Sequence, residues 1–146
     1  MTKVLFTLDT VILSIDPGKK KCGLAVVDNK LSFITGAVVN KEELTNRMQE
    51  YLQKYQIRKI VIGSGTNSKN IINLIKEQFP DLLIREVVEK DTTRQARKYY
   101  FEYYPPTGLW KFIPVSFRIP PRPYDDFAAY AIARRFFHDY KEGNAI

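Results

Sequence analysis

Three acidic side chains fall at positions where a fold could gather them, in a chain with one histidine and one cysteine. Asp16 closes the apolar run Val11-Ile-Leu-Ser-Ile, Glu89 follows the apolar stretch Leu82–Val88, and Asp125 opens a C-terminal helical pattern. Carboxylates gathered without softer ligands suit a hard divalent cation, Mg²⁺ or Mn²⁺. Two such ions about 3.5–4 Å apart can stabilise both the attacking and the leaving oxygen at a phosphodiester. Each residue also has a plainer role open to it. Asp16, ahead of Pro17-Gly18, could close an Asx turn. Glu89, ahead of Lys90-Asp91, could be solvated surface. Asp125 or Asp126 could act only as a helix N-cap. At about 100° per residue, Asp125 shares the apolar side with Ala129, Ile132 and Phe136. Asp126 is offset, with Tyr130 and Phe137. Asp125 is therefore the inward candidate, with Asp126 as the alternative.

The elements that would position these residues are legible in the apolar pattern. Val11–Asp16 reads as a buried strand, Pro17-Gly18 as a turn, and Cys22–Asp28 as the hairpin partner. Asp28-Asn29-Lys30 turns the chain into a third strand, Leu31–Val39, rich in β-branched and aromatic residues. The period then changes. Leu44, Met48, Tyr51, Leu52 and Tyr55 repeat at helical spacing between Asn40 and Gln56. Strand Arg58–Gly63, helix Asn67–Phe79 and strand Leu82–Val88 follow, an alternation that predicts parallel strands joined by helices. Thr92-Thr-Arg-Gln95 has capping-box spacing and starts a helix towards Tyr103. Residues 104–123 hold six of the eight prolines and read as loop or extended chain. A last helix runs from Asp125 or Asp126 to about Tyr140. The expectation is one mixed α/β domain over residues 1–146: a three-strand antiparallel meander, then strand-helix alternation, in a five-stranded sheet flanked by helices.

Between Arg94 and Arg122 lie six cations, Arg94, Arg97, Lys98, Lys111, Arg118 and Arg122, against the single acid Glu102. Eight rings are interleaved: Tyr99, Tyr100, Phe101, Tyr103, Tyr104, Trp110, Phe112 and Phe117. Cations can meet phosphates while rings stack on unpaired bases. Tyr99 and Trp110 are the rings singled out for that role, although about half of the eight are expected to be buried for packing. Lys19-Lys-Lys21, in the first hairpin turn, is placed to touch a phosphate near Asp16.

Composition sets the bounds. The chain has 146 residues, 45% hydrophobic and 27% charged, close to the roughly 150-residue prior for one domain. Its formal charge of +7 suits a polyanionic partner such as nucleic acid. The lone Cys22 excludes an intramolecular disulfide framework and a cysteine-rich zinc site. No apolar run reaches the roughly 18 residues of a membrane span, so a cytoplasmic protein with no membrane partner is expected. Gly18-x-x-x-x-Gly23 lacks the Lys-Ser/Thr of a P-loop, and Gly63-Ser-Gly-Thr-Asn-Ser68 lacks the last glycine of a dinucleotide fingerprint. Cys22 is expected to be a buried strand residue and His138 a surface one.

The motif Ile12-Leu-Ser-Ile-Asp-Pro-Gly-Lys-Lys-Lys-Cys-Gly23-Leu-Ala resembles the first motif of the RNase H-like Holliday-junction resolvases. Glu89-Lys-Asp-Thr-Thr93 resembles the Glu-x-x-Thr-Thr motif of their YqgF-like branch, and Asp125-Asp-Phe-Ala-Ala its closing helix. The resemblance spans about residues 11–137 in conserved element order. It implies an RNase H-like fold, Asp16, Glu89 and Asp125 as a catalytic site binding Mg²⁺ or Mn²⁺, and nuclease action on structured DNA or ribosomal RNA precursors. Two separated cuts would suit a homodimer. The chain departs from the branch at Val88, where many members carry Asp, and in the Gly63–Ser68 turn. Those departures motivate a rival, a catalytically silent nucleic-acid binder on the same fold. A phosphate-binding fragment of the sugar-kinase type shares the Asp-x-Gly hairpin, but that fold needs two such domains.

Overall fold

In the computed structural model, residues 11–65, 67–88, 92–114, 117 and 119–141 are described. Strands β1 (Val11–Asp16), β2 (Lys21–Asp28) and β3 (Phe33–Asn40) form the expected meander, each pair antiparallel. Helix α1 (Leu44–Tyr55) leads to β4 (Lys59–Ser64), and α2 (Ser68–Gln78) leads to β5 (Leu83–Val88). β4 pairs parallel to β1, and β5 parallel to β4, so the sheet order is β3-β2-β1-β4-β5. Helix α3 (Thr92–Tyr103) and α4 (Asp125–Lys141) follow.

Strand alternation divides the core in two. Ile12, Val61 and Val87 face α3 and α4, where Ala96, Tyr100, Phe127, Ala129 and Ile132 bury. Leu13, Ile15, Ile60 and Ile62 face α1 and α2, against Leu44, Met48, Ile71 and Ile75. Asp16 has the parity of Ile12, and so belongs to the α4 side of the sheet.

The departures from expectation are local and have visible causes. The third strand begins at Phe33, because Asp28 organises a longer turn. Its Oδ1 accepts hydrogen bonds from the backbone of Lys30 and Ser32, both 2.9 Å, and Leu31 turns left-handed at φ 67°. A 3₁₀ turn at Lys41–Glu43 takes up the start of the first predicted helix. Residues 104–123, expected as loop or extended chain, contain a second 3₁₀ turn, Gly108–Phe112. Cys22 is buried in β2 and His138 is exposed, as expected. No helix among the described residues is long and apolar enough to cross a membrane.

Candidate metal centre and nucleic-acid interface

Asp16 is the last residue of β1, and its register partner on β2 is Gly23. A Cβ placed on Gly23 would lie 1.9 Å from the backbone oxygen of Asp125 and 2.9 Å from the Asp126 nitrogen. The first turn of α4 therefore lies directly on Gly23, and only glycine permits that approach. This contact brings the segments carrying Asp16 and Asp125 together on one face at one end of the sheet. The buried Cys22 thiol registers both charges: burial raises its pKa first, and Asp16 and Asp125 each raise it further, against a backbone hydrogen bond from Gly18.

The two neighbouring aspartates have different surroundings. Asp126 is the more deeply buried, at 4% exposure, but its carboxylate is engaged. Arg122 reaches it through Nη2–Oδ2 at 3.3 Å, and the Phe127 backbone donates to Oδ1 at 3.1 Å. Arg122 itself lies over the rings of Tyr100, Tyr104 and Phe127. Asp125 is half-buried. Burial pushes its carboxyl above the ordinary aspartate range, and the Asp126 charge adds to this, while Lys21 opposes it. A partly desolvated carboxylate beside a second carboxylate can gain from a cation bound against it.

Glu89 lies outside the described residues. β5 delivers the chain to it: Gly63 pairs with Val87 and Ser64 with Val88, so β1, β4 and β5 all end at the same edge of the sheet. Among the described residues there is no group of three His, Cys, Asp or Glu side chains spaced to hold a metal.

The basic residues lie on several separate elements. Lys19 and Lys20 are exposed in the turn after Asp16 and Lys21 is exposed at the start of β2, where Gly18 allows the backbone to fold back on Lys21. Arg94 and Lys98 are exposed on α3, and Arg97 is half-buried. Lys111 is exposed beside the Phe112 ring. Tyr99 is held between helices, edge-on to Tyr130 at 5.2 Å and beneath Arg134 at 4.9 Å. Arg118 and the Trp110 side chain lie outside the described residues. The expected half-burial of the rings is too high for those described: only Tyr100 is buried, Tyr99 and Phe101 are half-buried, and Tyr103, Tyr104, Phe112 and Phe117 are exposed. The rings of α3 fall at consecutive positions and so spread round the helix, only part of which faces the core, and the proline-rich stretch after it leaves Phe112 and Phe117 exposed.

What sequence reasoning missed is the Arg122–Asp126 pair. Their four-residue spacing is visible, but Pro123 intervenes before the helix begins, so no helical argument links them.

A meander followed by two parallel strands, with the final helix laid against the end of β1, is the arrangement of an RNase H-like protein. RuvC of Thermus thermophilus, solved in complex with a Holliday junction substrate, superposes with a TM-score of 0.57 over 93% of this chain and 98% of that one, at 18% identity. The Tex protein YqgF-like domain family matches residues 10–94, and the chain belongs to this YqgF-like family. The matched span includes Asp16 and Glu89 and stops before Asp125. A crossover junction endodeoxyribonuclease RuvC from Helicobacter pylori (strain Shi470) is 35% identical over 96 residues, covering 54% of this chain and 59% of the relative. A protein from Chlorobium phaeobacteroides (strain BS1), named as a candidate pre-16S rRNA nuclease, is 31% identical over 103 residues, covering 62% and 72%. The chain thus spans 59% of the length of the resolvase relative.

Proposed function

We propose that this protein is a metal-dependent endonuclease that hydrolyses phosphodiesters in structured nucleic acid, either four-way junction DNA or a ribosomal RNA precursor. The observation that carries the reading is the approach of α4 to Gly23, which sets the half-buried Asp125 beside the end of β1 and Asp16. The names of the relatives, a junction endonuclease and a ribosomal RNA nuclease, support the same reading.

Asp16, Glu89 and Asp125 would hold Mg²⁺ or Mn²⁺, an all-oxygen ligand set that suits a hard divalent cation. Such an ion supplies positive charge against the negative charge that develops on the phosphodiester oxygens. The protein's own residues supply position. Asp126, tied to Arg122, fixes the first turn of α4 and thereby the Asp125 carboxylate. The Lys19–Lys21 turn presents cations to a phosphate at the Asp16 end. A four-way junction requires two cuts, which a homodimer acting in the cytoplasm would provide.

The test is Asp16→Asn, compared with the native protein on labelled junction DNA and structured RNA, alongside calorimetric titration of Mn²⁺. We expect cleavage by the native protein that chelation abolishes, and loss of both cleavage and saturable Mn²⁺ binding in the variant at an unchanged melting temperature. Full activity in the variant would overturn the assignment. Tight binding of nucleic acid without cleavage by the native protein would replace it with the silent binder.

A further inference from the structure

A groove of about 590 Å³ runs along β3, the edge strand of the sheet, and it has two unlike ends. At one end are rings. Phe33 forms the base, and the half-exposed Tyr103 and Tyr104, at 51% and 47%, stand at the end of α3. The Tyr103 ring is 5.3 Å from Phe33 and 4.9 Å from Tyr104. At the other end is Lys21, which pairs with Asn40 in the sheet and whose charge acts on Asp125. The Phe33 ring reaches forward to Gly36, and from Gly36 to Asn40, the partner of Lys21, is four residues, roughly 13 Å of strand. Gly36 forms the floor between them. A Cβ there would lie 2.7 Å from both the Phe33 ring and the Leu24 backbone oxygen and 3.2 Å from the Asp126 side chain, so glycine here lets the Phe33 ring and the first turn of α4 pack onto β3.

We infer that this groove receives an unpaired stretch of nucleic acid, its bases stacked on Tyr103 and Tyr104 and its backbone led past Lys21 to the phosphodiester beside Asp16 and Asp125. The inference rests on the nuclease reading of the two aspartates and adds the substrate class: nucleic acid with unpaired nucleotides flanking the cut. Exposed rings stack on any base that is not already paired and stacked in a helix. Two cations, Lys21 and Arg122, balance the groove's two acids, Asp126 and Glu43; Arg122 is paired with Asp126, so the cation left for a phosphate is Lys21, whose charge also acts on Asp125. Neither Asp16 nor Asp125 lines the groove, but two of its lining residues neighbour the carboxylate site: Asp126, next to Asp125 at the start of α4, and Lys21. An extended peptide added to the β3 edge would use the same backbone but has no need of the tyrosines or the cations.

The experiment uses the full chain carrying Asp16→Asn, so that binding is measured without cleavage. The probes are a DNA hairpin and an RNA hairpin of one sequence, each with a four-nucleotide unpaired flap containing 2-aminopurine, and fully paired controls. We expect the flap fluorescence to be quenched on binding. Tyr103→Leu should abolish the quench and weaken flap binding by roughly 5- to 150-fold, and Tyr103→Phe should restore both. Paired controls should bind all three proteins within about twofold. Equal flap affinity and equal quenching in the Leu and Phe variants would overturn the inference, as would paired controls binding as tightly as flaps. Cleavage by the native protein separates the two readings. A ring-dependent quench without metal-dependent cleavage leaves the groove standing and removes the nuclease. Cleavage with no ring dependence does the reverse.

Discussion

One missing methyl group at Gly23 decides how closely the start of α4 approaches the end of β1. Its Cβ would overlap the Asp125 carbonyl, a backbone atom that no rotamer change can move. Gly23→Ala should therefore cost about 1–3 kcal/mol or more, as overpacking does, and should push the start of α4 away from Asp16. A lower urea midpoint together with lost metal-dependent cleavage checks this; an unchanged midpoint would show that the approach is looser than the geometry requires. Asp126 offers a second residue-scale test. Its carboxylate is buried while the guanidinium facing it remains partly open, so removing Arg122 strands a buried charge. Arg122→Met should destabilise by about 1–3 kcal/mol, and adding Asp126→Asn should recover part of the loss in a double-mutant cycle. Cys22, wholly buried with its thiol pushed up chiefly by burial, should resist iodoacetamide at neutral pH in the native protein and react only after denaturation.

At the scale of elements, much of the molecule could be read from the order of its residues, for identifiable reasons. The strands announced themselves because buried positions such as Ile12, Leu13 and Ile15 are apolar on both faces of the sheet. Helix α3 begins at Thr92 and ends at Tyr103, as its capping spacing predicts. The start of β3 was not legible, because it depends on the Asp28 carboxylate capturing two backbone amides and on a left-handed Leu31 that carries no glycine signal. Asp16 and Asp125 were legible as candidates because each falls at the end of an element. The burial of Asp126 was not. Helical spacing set it with Tyr130 and Phe137, off the apolar side, yet α4 is covered on that side too, and both rings are buried. Amphipathicity cannot rank two neighbours on a helix enclosed almost all round. The same enclosure yields a prediction. Ala129, fully buried on α4, leaves no room for growth, so Ala129→Leu should cost about 1–3 kcal/mol and reduce cleavage by displacing the helix that carries Asp125. Lys98→Ala, on the open face of α3, should change stability by less than about 0.5 kcal/mol. Thermal melts of the two variants make the comparison.

At the scale of the whole molecule, the charge of +7 is a statement about partners, and its value lies in how it is spread. Three of the cations, Lys19, Lys20 and Lys21, are exposed in the turn after Asp16 and at the start of β2. Others, such as Arg134 over Tyr99 and Tyr130, are committed to rings inside the fold and are poorly placed to meet a phosphate. The two groups should separate in a salt titration. Each phosphate neutralised by a cation contributes about 0.9 to the slope of log affinity against log salt on duplex DNA, and about 0.7 on a single strand. Replacing all three lysines with glutamine should thus reduce the slope by roughly 2–3 if the turn carries the phosphates. Arg134→Gln should weaken α3–α4 packing and leave the slope nearly unchanged. The size of the step also reports the form of the bound chain: a drop near 2 in the lysine variant fits a single strand tracking the β3 groove, and one near 3 fits a duplex across the sheet end. A lysine variant with the native slope would remove this turn from the interface and shift the phosphate contacts to α3 and the segment after it.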